Sequence, residues 1–243
     1  MFKSINPSNG KVLDKYNALS SGQISSLIND VNDEFLNWRN TSFKQRSKVL
    51  VSIADSLKLD LENHARMISL EMGKPINESR QEIEKSIWVL RYYAENSAEF
   101  LKNEYIDTEY SESYIKYEPI GIIFGVMPWN FPYWQVLRFL APILMSGNTC
   151  IIKHAPNVFG CSLKIESLIK ENSPFKNIFK SIVCEESKVE FIIKNKFIKG
   201  VSLTGSDRAG SIVASYAAKE VKRTVLELGG SDAFIVLEDA DIN

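Results

Sequence analysis

Apolar residues recur at three- and four-residue steps through the first third of the chain, a pattern typical of amphipathic helices. The first apolar stripe covers residues 24–38. A second helix is predicted to begin at Ser42, whose hydroxyl caps the first turn while Gln45 returns the hydrogen bond as a capping box. Its stripe continues until Gly73 stops the helix. A third helix is predicted over about residues 77–101.

Residues 105–117 differ in character from the helical segment before them. Ile106, Thr108 and Tyr110 are β-formers set among acidic and small polar residues. They predict a two-stranded hairpin that is polar on both faces, and an isolated hairpin of this kind is marginal in water. We therefore expect it to lie against another surface, or to be an exposed edge ribbon. It separates a helical lead-in, residues 1–104, from the remainder, residues 118–243.

Short apolar runs alternate with helical patterns over residues 118–243. The predicted strands are Gly121–Met127, Thr149–Lys153, Ile178–Cys184, Ile198–Leu203, Thr224–Leu228 and Ala233–Leu237. The predicted helices lie near Tyr133–Met145, Phe159–Glu171, Ser187–Asn195 and Asp207–Lys219. Such alternation predicts an α/β fold, Rossmann-like, in which helices cover both faces of a parallel sheet.

Charge and composition narrow the classes of partner. The 29 basic and 30 acidic side chains nearly cancel, so charge gives no case for nucleic acid or an anionic membrane. No apolar run reaches the roughly 20 residues of a membrane helix, and the N-terminus lacks the apolar core of a signal peptide. Three cysteines fit a reducing compartment. We expect a cytoplasmic protein that binds neither nucleic acid nor membrane.

The cysteines and histidines suggest no metal site. Cys150 and Cys184 lie in predicted strands and are interpreted as small apolar residues of a buried sheet, whereas Cys161 lies in a predicted helix. His64 is mid-helix, and His154 follows a strand without a partner nearby in the sequence. No Cys/His spacing resembles a set of metal ligands.

The turn after the first predicted sheet strand places one amide between aromatics and prolines. Asn130 sits in Met127-Pro-Trp-Asn-Phe-Pro132. An amide donor held in an apolar wall is what an oxyanion site needs. Alternatively, the prolines make a rigid strand-to-helix turn and Asn130 caps the helix. This segment alone leaves both interpretations open.

A second strand-to-helix turn offers a place for phosphate. The chain lacks Gly-x-Gly-x-x-Gly after a strand, the usual dinucleotide signature. Leu203-Thr-Gly-Ser206 instead ends a strand, turns at Gly205 and begins a helix at about Ser206. Backbone N–H groups and the helix dipole favour an anion there. The alternative is that Ser206 only caps the helix.

Two charged residues close predicted strands. Lys153 ends one strand, where its ammonium is able to donate to ribose hydroxyls or a 2′-phosphate, unless it is simply a solvated lysine. Glu227 ends another beside Val225, Leu226 and Leu228. A carboxylate in apolar surroundings suits a general base, although a strand-end carboxylate facing solvent is the alternative.

These motifs together resemble the aldehyde dehydrogenase family. The resemblance rests on the Pro-Trp-Asn-Phe-Pro turn, Lys153, Thr204-Gly-Ser206 and Glu227-Leu-Gly-Gly230, in that order, and extends over almost the whole chain. It is nearest to the succinate-semialdehyde dehydrogenase branch, partly through Lys153-His-Ala-Pro-Asn157. The resemblance implies that the hairpin pairs with a neighbouring subunit, so the full-length protein would be a homo-oligomer.

The family resemblance also implies a covalent mechanism on a small aldehyde substrate. A cysteine thiolate attacks the aldehyde, Asn130 stabilises the oxyanion, hydride passes to NAD or NADP, and water activated by Glu227 releases the acid from a thioester. The resemblance assigns the cofactor-binding residues as Trp129, Lys153, Pro156, Gly205, Ser206 and Leu228.

The chain departs from the family pattern at two points. Many members carry Glu where this chain has Pro156, which leaves the preference between NAD and NADP open. The family's cysteine follows the position of Glu227 by a few dozen residues, beyond Asn243. The first hypothesis is therefore the N-terminal half, residues 1–243, of a dehydrogenase whose catalytic domain is absent from the chain and which is inactive alone. The alternative is a non-catalytic NAD(P)-binding module or truncated remnant.

Overall fold

The computed structural model describes residues 1–241. The strands in this range are β1 (Phe2–Ile5), β2 (Val12–Tyr16), β3 (Glu104–Tyr105), β4 (Tyr114–Ile115), β5 (Ile122–Met127), β6 (Thr149–His154), β7 (Phe179–Ser181), β8 (Ile198–Thr204) and β9 (Arg223–Glu227). The helices are α1 (Ser21–Trp38), α2 (Phe43–Leu59), α3 (Leu61–Met72), α4 (Ile76–Phe100), α5 (Trp134–Met145), α6 (Phe159–Glu171), α7 (Val189–Lys194) and α8 (Asp207–Lys219). None of the described helices is long and apolar enough to cross a membrane.

The parallel sheet has five strands in the order β7-β6-β5-β8-β9, and every neighbouring pair is parallel. One face packs against α1, α7 and α8, and the other against α2 to α6. The predicted α/β class with helices on both faces is confirmed. Cys150 and Cys184 lie in these two cores, as predicted, although Cys184 follows the end of β7, which stops at Ser181.

The chain begins with an antiparallel hairpin, β1–β2, so the prediction of a wholly helical lead-in is wrong for the first residues. Ser4 donates a hydrogen bond to the buried carboxylate of Glu71 at 2.7 Å, and the rings of Phe2 and Tyr16 meet Phe159 edge to face. These contacts all come from distant segments. Local propensity did not reveal the hairpin because tertiary packing stabilises it.

The second predicted helix is divided at Asp60 into α2 and α3. The capping box at Ser42 is confirmed, since Ser42 Oγ accepts from the Gln45 N–H and Gln45 Oε1 accepts from the Ser42 N–H. Asp60 leaves helical geometry at φ −109° and ψ 28°. The apolar stripe continues from Leu57 to Leu61 at helical spacing, so periodicity alone could not detect the break.

The predicted strand Ala233–Leu237 does not form. Residues after β9 have no regular structure up to residue 241, and Phe234 is 92% exposed. A strand requires a hydrogen-bonded neighbour, and β9 already occupies this edge of the sheet without pairing to the segment. The composition favours a strand, but no described residue supplies a partner.

The predicted hairpin at residues 105–117 is present but short. Only Glu104 with Ile115 and Tyr105 with Tyr114 pair across β3 and β4. Tyr110 at the tip is 73% exposed, and the paired tyrosines are exposed as well. The hairpin therefore extends from the body of the molecule with little contact of its own.

Helix α5 is held at its C-terminal end by side chains from α1 and α2. The Trp38 indole N–H donates to the Leu144 carbonyl at 3.2 Å, and Arg46 Nη1 donates to the Met145 carbonyl at 3.0 Å. Gly147 follows with φ 82°, and a Cβ there would lie 2.7 Å from Arg46 Nη2. Carbonyls at a helix end have no partner inside the helix, so these bonds satisfy them.

Candidate active site

The carboxyl ends of neighbouring strands meet at one edge of the sheet. Val126 of β5 pairs with Lys153 of β6, and Thr204 of β8 pairs with Glu227 of β9. The turn over residues 128–133 leaves β5 at this edge. Open α/β sheets bind ligands there. The edge collects every residue that the sequence predicts for the site: Trp129, Asn130, Lys153, Pro156, Gly205, Ser206, Glu227 and Leu228.

Lys153 and Glu227 project from opposite faces of the sheet. Side chains alternate along a strand, so Lys153 shares a face with Ile151, which packs in the core under α1, α7 and α8. Glu227 pairs with Thr204, one residue beyond the level of Lys153 in the sheet, so its side chain is on the opposite face. Met127 packs on that face, in the core of α2 to α6. A ligand that contacts both side chains must therefore cross the edge of the sheet.

Lys153 is a buried cation. The residue is 4% exposed, and its ammonium, which keeps access to solvent, has no hydrogen-bond or salt-bridge partner among residues 1–241. Burial lowers the pKa of Lys153, partly offset by Cys184 and Glu186 nearby. Lys153 is therefore not a freely exposed lysine, because its stem is packed and only its ammonium end reaches solvent. A partly desolvated ammonium that lacks a protein partner is suited to an anionic or hydroxyl-rich ligand.

The turn that carries Asn130 is exposed at its tip and anchored at its end. Trp129 is 53% exposed, and Asn130 is exposed as well. Asn130 does not cap α5, so that interpretation is wrong. The carboxylate of Glu82, from α4, accepts hydrogen bonds from the N–H groups of Tyr133 at 2.8 Å and Trp134 at 3.0 Å. A carboxylate at a helix N-terminus is favoured by the dipole and by the free N–H groups.

His154 also holds this turn, although the sequence showed no partner for it. Its Nδ1 accepts from the Ala155 N–H, so Nε2 carries the proton and donates to the Pro132 carbonyl at 3.0 Å. The imidazole is fully buried, and that burial lowers its pKa to about 4. His154 is therefore neutral at physiological pH.

The turn after β8 is a capped helix start. Ser206 Oγ accepts from the Ala209 N–H at 3.3 Å, as the capping alternative predicted. The Gly205 N–H donates to the Glu227 carbonyl at 3.0 Å, so this particular donor is already bonded within the sheet edge. Leu228 packs over Gly210 of α8, where a Cβ would lie 2.5 Å from its methyl group. The exposed Ser206 remains at the helix N-terminus.

Glu227 faces a cavity of about 460 Å³ between β8, β9 and α5. Its carboxylate is half-exposed and lies 3.5 Å from Arg138 Nη1. Arg138 Nη2 donates to Gln135, and Arg138 Nε is buried without a hydrogen-bond partner among residues 1–241. The cavity thus holds a carboxylate beside a guanidinium with unused donor capacity.

All three cysteines are buried. Burial raises the pKa of each thiol, to about 11 for Cys184 and well above the usual value for Cys150 and Cys161. A nucleophilic cysteine requires an accessible thiolate. None of the three has that setting in this structure.

The family model described as "Aldehyde dehydrogenase family" matches residues 1–243. The chain belongs to the aldehyde dehydrogenase family. Curated relatives of this aldehyde dehydrogenase chain include a "Probable succinate-semialdehyde dehydrogenase [NADP(+)]" of Synechocystis sp., with 40% identity over 99% of this chain and 53% of the relative. Another is the "Succinate semialdehyde dehydrogenase [NAD(P)+] Sad" of Escherichia coli, with 39% identity over 98% of this chain and 52% of the relative.

Solved structures of aldehyde dehydrogenases have the same fold. The succinic semialdehyde dehydrogenase of Streptococcus pyogenes, determined with NADP+, superimposes with a TM-score of 0.93 and 31% identity. The superposition covers 99% of this chain and 53% of that one. This aldehyde dehydrogenase chain spans about half the length of the curated relatives it matches.

Sequence reasoning missed Arg138, Glu82 and His154 in this aldehyde dehydrogenase chain. Arg138 did carry a signal, because it is the one charged residue in the apolar helix Trp134–Met145. Glu82 gave none, since a glutamate on an amphipathic helix is ordinarily solvated. The contacts of His154 depend on where the chain brings Pro132, which periodicity does not report.

Proposed function

We propose that this chain is the N-terminal, cofactor-binding half of an NAD(P)-dependent dehydrogenase that oxidises succinate semialdehyde to succinate. The catalytic domain, with its nucleophilic cysteine, would lie outside the chain. The observation that carries the proposal is the occurrence at one sheet edge of a packed lysine whose ammonium has no protein partner, an amide-bearing turn and a carboxylate beside a guanidinium. The names of the relatives support the substrate and the cofactor. A cytoplasmic location stays a prediction.

The residues at the edge fit a dinucleotide. Lys153 has an unused ammonium at the end of a packed side chain, available to donate to ribose hydroxyls or to a 2′-phosphate. Pro156 places no carboxylate near that position, so a 2′-phosphate meets no negative charge from it. Ser206, at the N-terminus of α8, would face the pyrophosphate, and Trp129 and Leu228 would contact the cofactor. When bound, the cofactor supplies the acceptor for hydride.

Arg138 supports an acidic aldehyde as the substrate. Its guanidinium lines the cavity beside Glu227 and has a buried Nε without a partner in the described range. A guanidinium binds a carboxylate through two parallel hydrogen bonds. The carboxylate of succinate semialdehyde would use this capacity and displace Glu227 from its 3.5 Å contact, which leaves the Glu227 carboxylate free to accept a proton from water.

Asn130 would donate its amide N–H to the oxygen of the substrate as negative charge develops there. Its exposed position in the turn leaves the amide accessible to a substrate. The buried thiols argue that residues 1–243 alone do not oxidise aldehydes. The proposed roles thus divide: this chain binds cofactor and polarises substrate, and the nucleophile comes from elsewhere.

A charge-insertion experiment tests the cofactor site. Asp is as good a helix cap as Ser, so Ser206→Asp keeps the cap of α8 and adds a negative charge at the proposed pyrophosphate. We expect the affinity for NADP+ in calorimetry to fall at least about tenfold, the equivalent of about 1.4 kcal/mol. Ser20→Asp is the matched control, because Ser20 caps α1 in the same way. Equal affinities in the two variants would remove Ser206 from the site.

A second experiment tests the reaction. The gene is expressed to its own stop codon, and NADPH formation is measured with succinate semialdehyde and NADP+. Activity that depends on Glu227 and on a cysteine outside residues 1–243 would support the proposal. Turnover by residues 1–243 alone, above a variant without its three cysteines, would refute the proposed absence of the nucleophile. Nucleotide binding without turnover in the natural product would favour the non-catalytic module.

The β3–β4 hairpin supports assembly of the full-length protein as a homo-oligomer. Tyr105, Tyr110 and Tyr114 are exposed on a hairpin that has only two residue pairs. Pairing with a second subunit would cover these side chains. Sedimentation of the natural product with and without Tyr114→Asp tests this, and an unchanged mass would exclude the hairpin from the interface.

A further inference from the structure

The turn that carries Asn130 is held by a buried ion pair that no local sequence motif requires. We propose that Glu82 and Lys74 are positioning residues that fix the turn over residues 128–133. This inference rests on the proposed role of Asn130 as oxyanion donor, because it specifies what keeps that amide in place. Neither side chain is a catalytic residue, since both contact the turn and not the proposed reacting atoms.

The contacts lie directly after Asn130 in the chain. One oxygen of Glu82 accepts from the Tyr133 and Trp134 N–H groups, and the other accepts from the Lys74 ammonium at 2.5 Å. The same ammonium lies 3.7 Å from the centre of the Phe131 ring. One buried pair thereby contacts three of the four residues that follow Asn130.

The burial of the pair indicates a role beyond stability. Lys74 is 8% exposed and Glu82 is 3% exposed. Two buried charges recover little net free energy, and apolar residues of similar volume often stabilise a protein as well or better. A charged pair does, however, have directional preferences that an apolar contact lacks. The Lys74 ammonium lies over the Phe131 ring, so the ion pair also restricts the position of the residue next to Asn130.

Glu71 shows what an ordinary buried carboxylate cap looks like in the same molecule. Its carboxylate is 2% exposed and accepts from the N–H groups of Gly160 and Cys161 at the start of α6, and from Ser4. It has no lysine partner among the described residues. Glu71 therefore caps a helix as Glu82 does, but it is not paired with a lysine that contacts the turn carrying Asn130.

The comparison of Glu82 with Glu71 provides the test. The chain is labelled with 5-fluorotryptophan, and fluorine NMR resolves its four tryptophans. Trp129 precedes the anchored residues and Trp134 is one of them, while Trp38 in the core and Trp88 on α4 report on the rest of the fold. The variants are Lys74→Met, Glu82→Gln and the control Glu71→Gln. Glu82→Gln retains a carbonyl to accept from the turn, and it replaces the oxygen that accepts from Lys74 with an uncharged NH2 donor.

We expect Lys74→Met and Glu82→Gln to shift or broaden the Trp129 signal and to leave the Trp38 and Trp88 signals in place. Glu71→Gln should leave Trp129 unmoved. An unmoved Trp129 signal in folded Lys74→Met or Glu82→Gln would overturn the proposal, as would an equal shift in Glu71→Gln. If Glu82→Gln does not fold, Lys74→Met decides, because it leaves the carboxylate cap intact.

Kinetics of the natural gene product separate this inference from the proposed function. If the wild-type protein oxidises succinate semialdehyde, Lys74→Met should lower kcat at least about tenfold with KM nearly unchanged, as loss of a transition-state contact predicts. An unchanged kcat would overturn the positioning role. If the wild-type protein is inactive but the Trp129 signal still shifts in Lys74→Met and Glu82→Gln, the proposed function is refuted and the anchoring of the turn is supported.

Discussion

Replacing His154 with Gln is expected to reduce the loss of stability that mild acid causes. Burial lowers the pKa of this imidazole from 6.5 to about 4 in the folded chain. Between these values the unfolded chain binds a proton that the folded chain does not bind. The free energy of unfolding therefore rises with pH across this window and is lost as the pH falls through it.

The two pKa values set the size of the effect. From about pH 7.5 to about pH 5, one such histidine lowers the free energy of unfolding by about 2 kcal/mol. The chain has only two histidines, and the pKa of His64 is also lowered to about 4, again mainly by burial. Because the two pKa values are the same, each imidazole should contribute a similar amount. His64 contacts the Tyr133 hydroxyl at 2.7 Å.

Urea unfolding at the two pH values measures the difference. His154→Gln loses the bond from Ala155, so it should be less stable at both pH values; the informative quantity is the change between them. We expect that change to be smaller than in the wild type by about 2 kcal/mol. His64→Gln is the parallel variant, and its change between the two pH values should be reduced in the same way. An undiminished change in His154→Gln would show that this imidazole is not buried in its neutral form.

Three further substitutions have distinct expected outcomes. Lys153→Met should raise the free energy of unfolding in urea by about 1 kcal/mol, because a partly desolvated cation without a protein partner is removed, and should weaken NADP+ binding in calorimetry; a less stable variant would contradict the desolvation argument. Gly147→Ala should destabilise by about 2 kcal/mol in the same urea assay, since φ is 82° and Arg46, held by three hydrogen bonds, cannot move aside easily; a neutral result would refute this. Glu227→Gln should leave the urea midpoint nearly unchanged, because its contact with Arg138 is half-exposed, yet abolish NADPH formation by the natural gene product; a large shift in the midpoint would contradict it.

The hydrophobic pattern of the sequence determined the fold class and most elements. Burial on both faces of a parallel strand produces a continuous apolar run, and burial on one side of a helix produces a stripe, so both can be recognised locally. The capping box at Ser42 was equally local. The sequence also indicated that Lys153 and Glu227 end strands and that Asn130 follows one, which is where such a sheet binds ligands, but it did not show that Lys153 and Glu227 lie on opposite faces.

Tertiary structure alone decided how that site is supported. The helix after Asn130 is capped by Glu82 from another helix, and His154 donates to Pro132, 22 residues away in the chain. It also decided that residues 233–237, which look like a strand, pair with no strand among residues 1–241, and that β1–β2 forms at all. Propensity and periodicity describe a residue and its near neighbours, whereas a buried polar group is stabilised only by the partner that the folded chain brings to it.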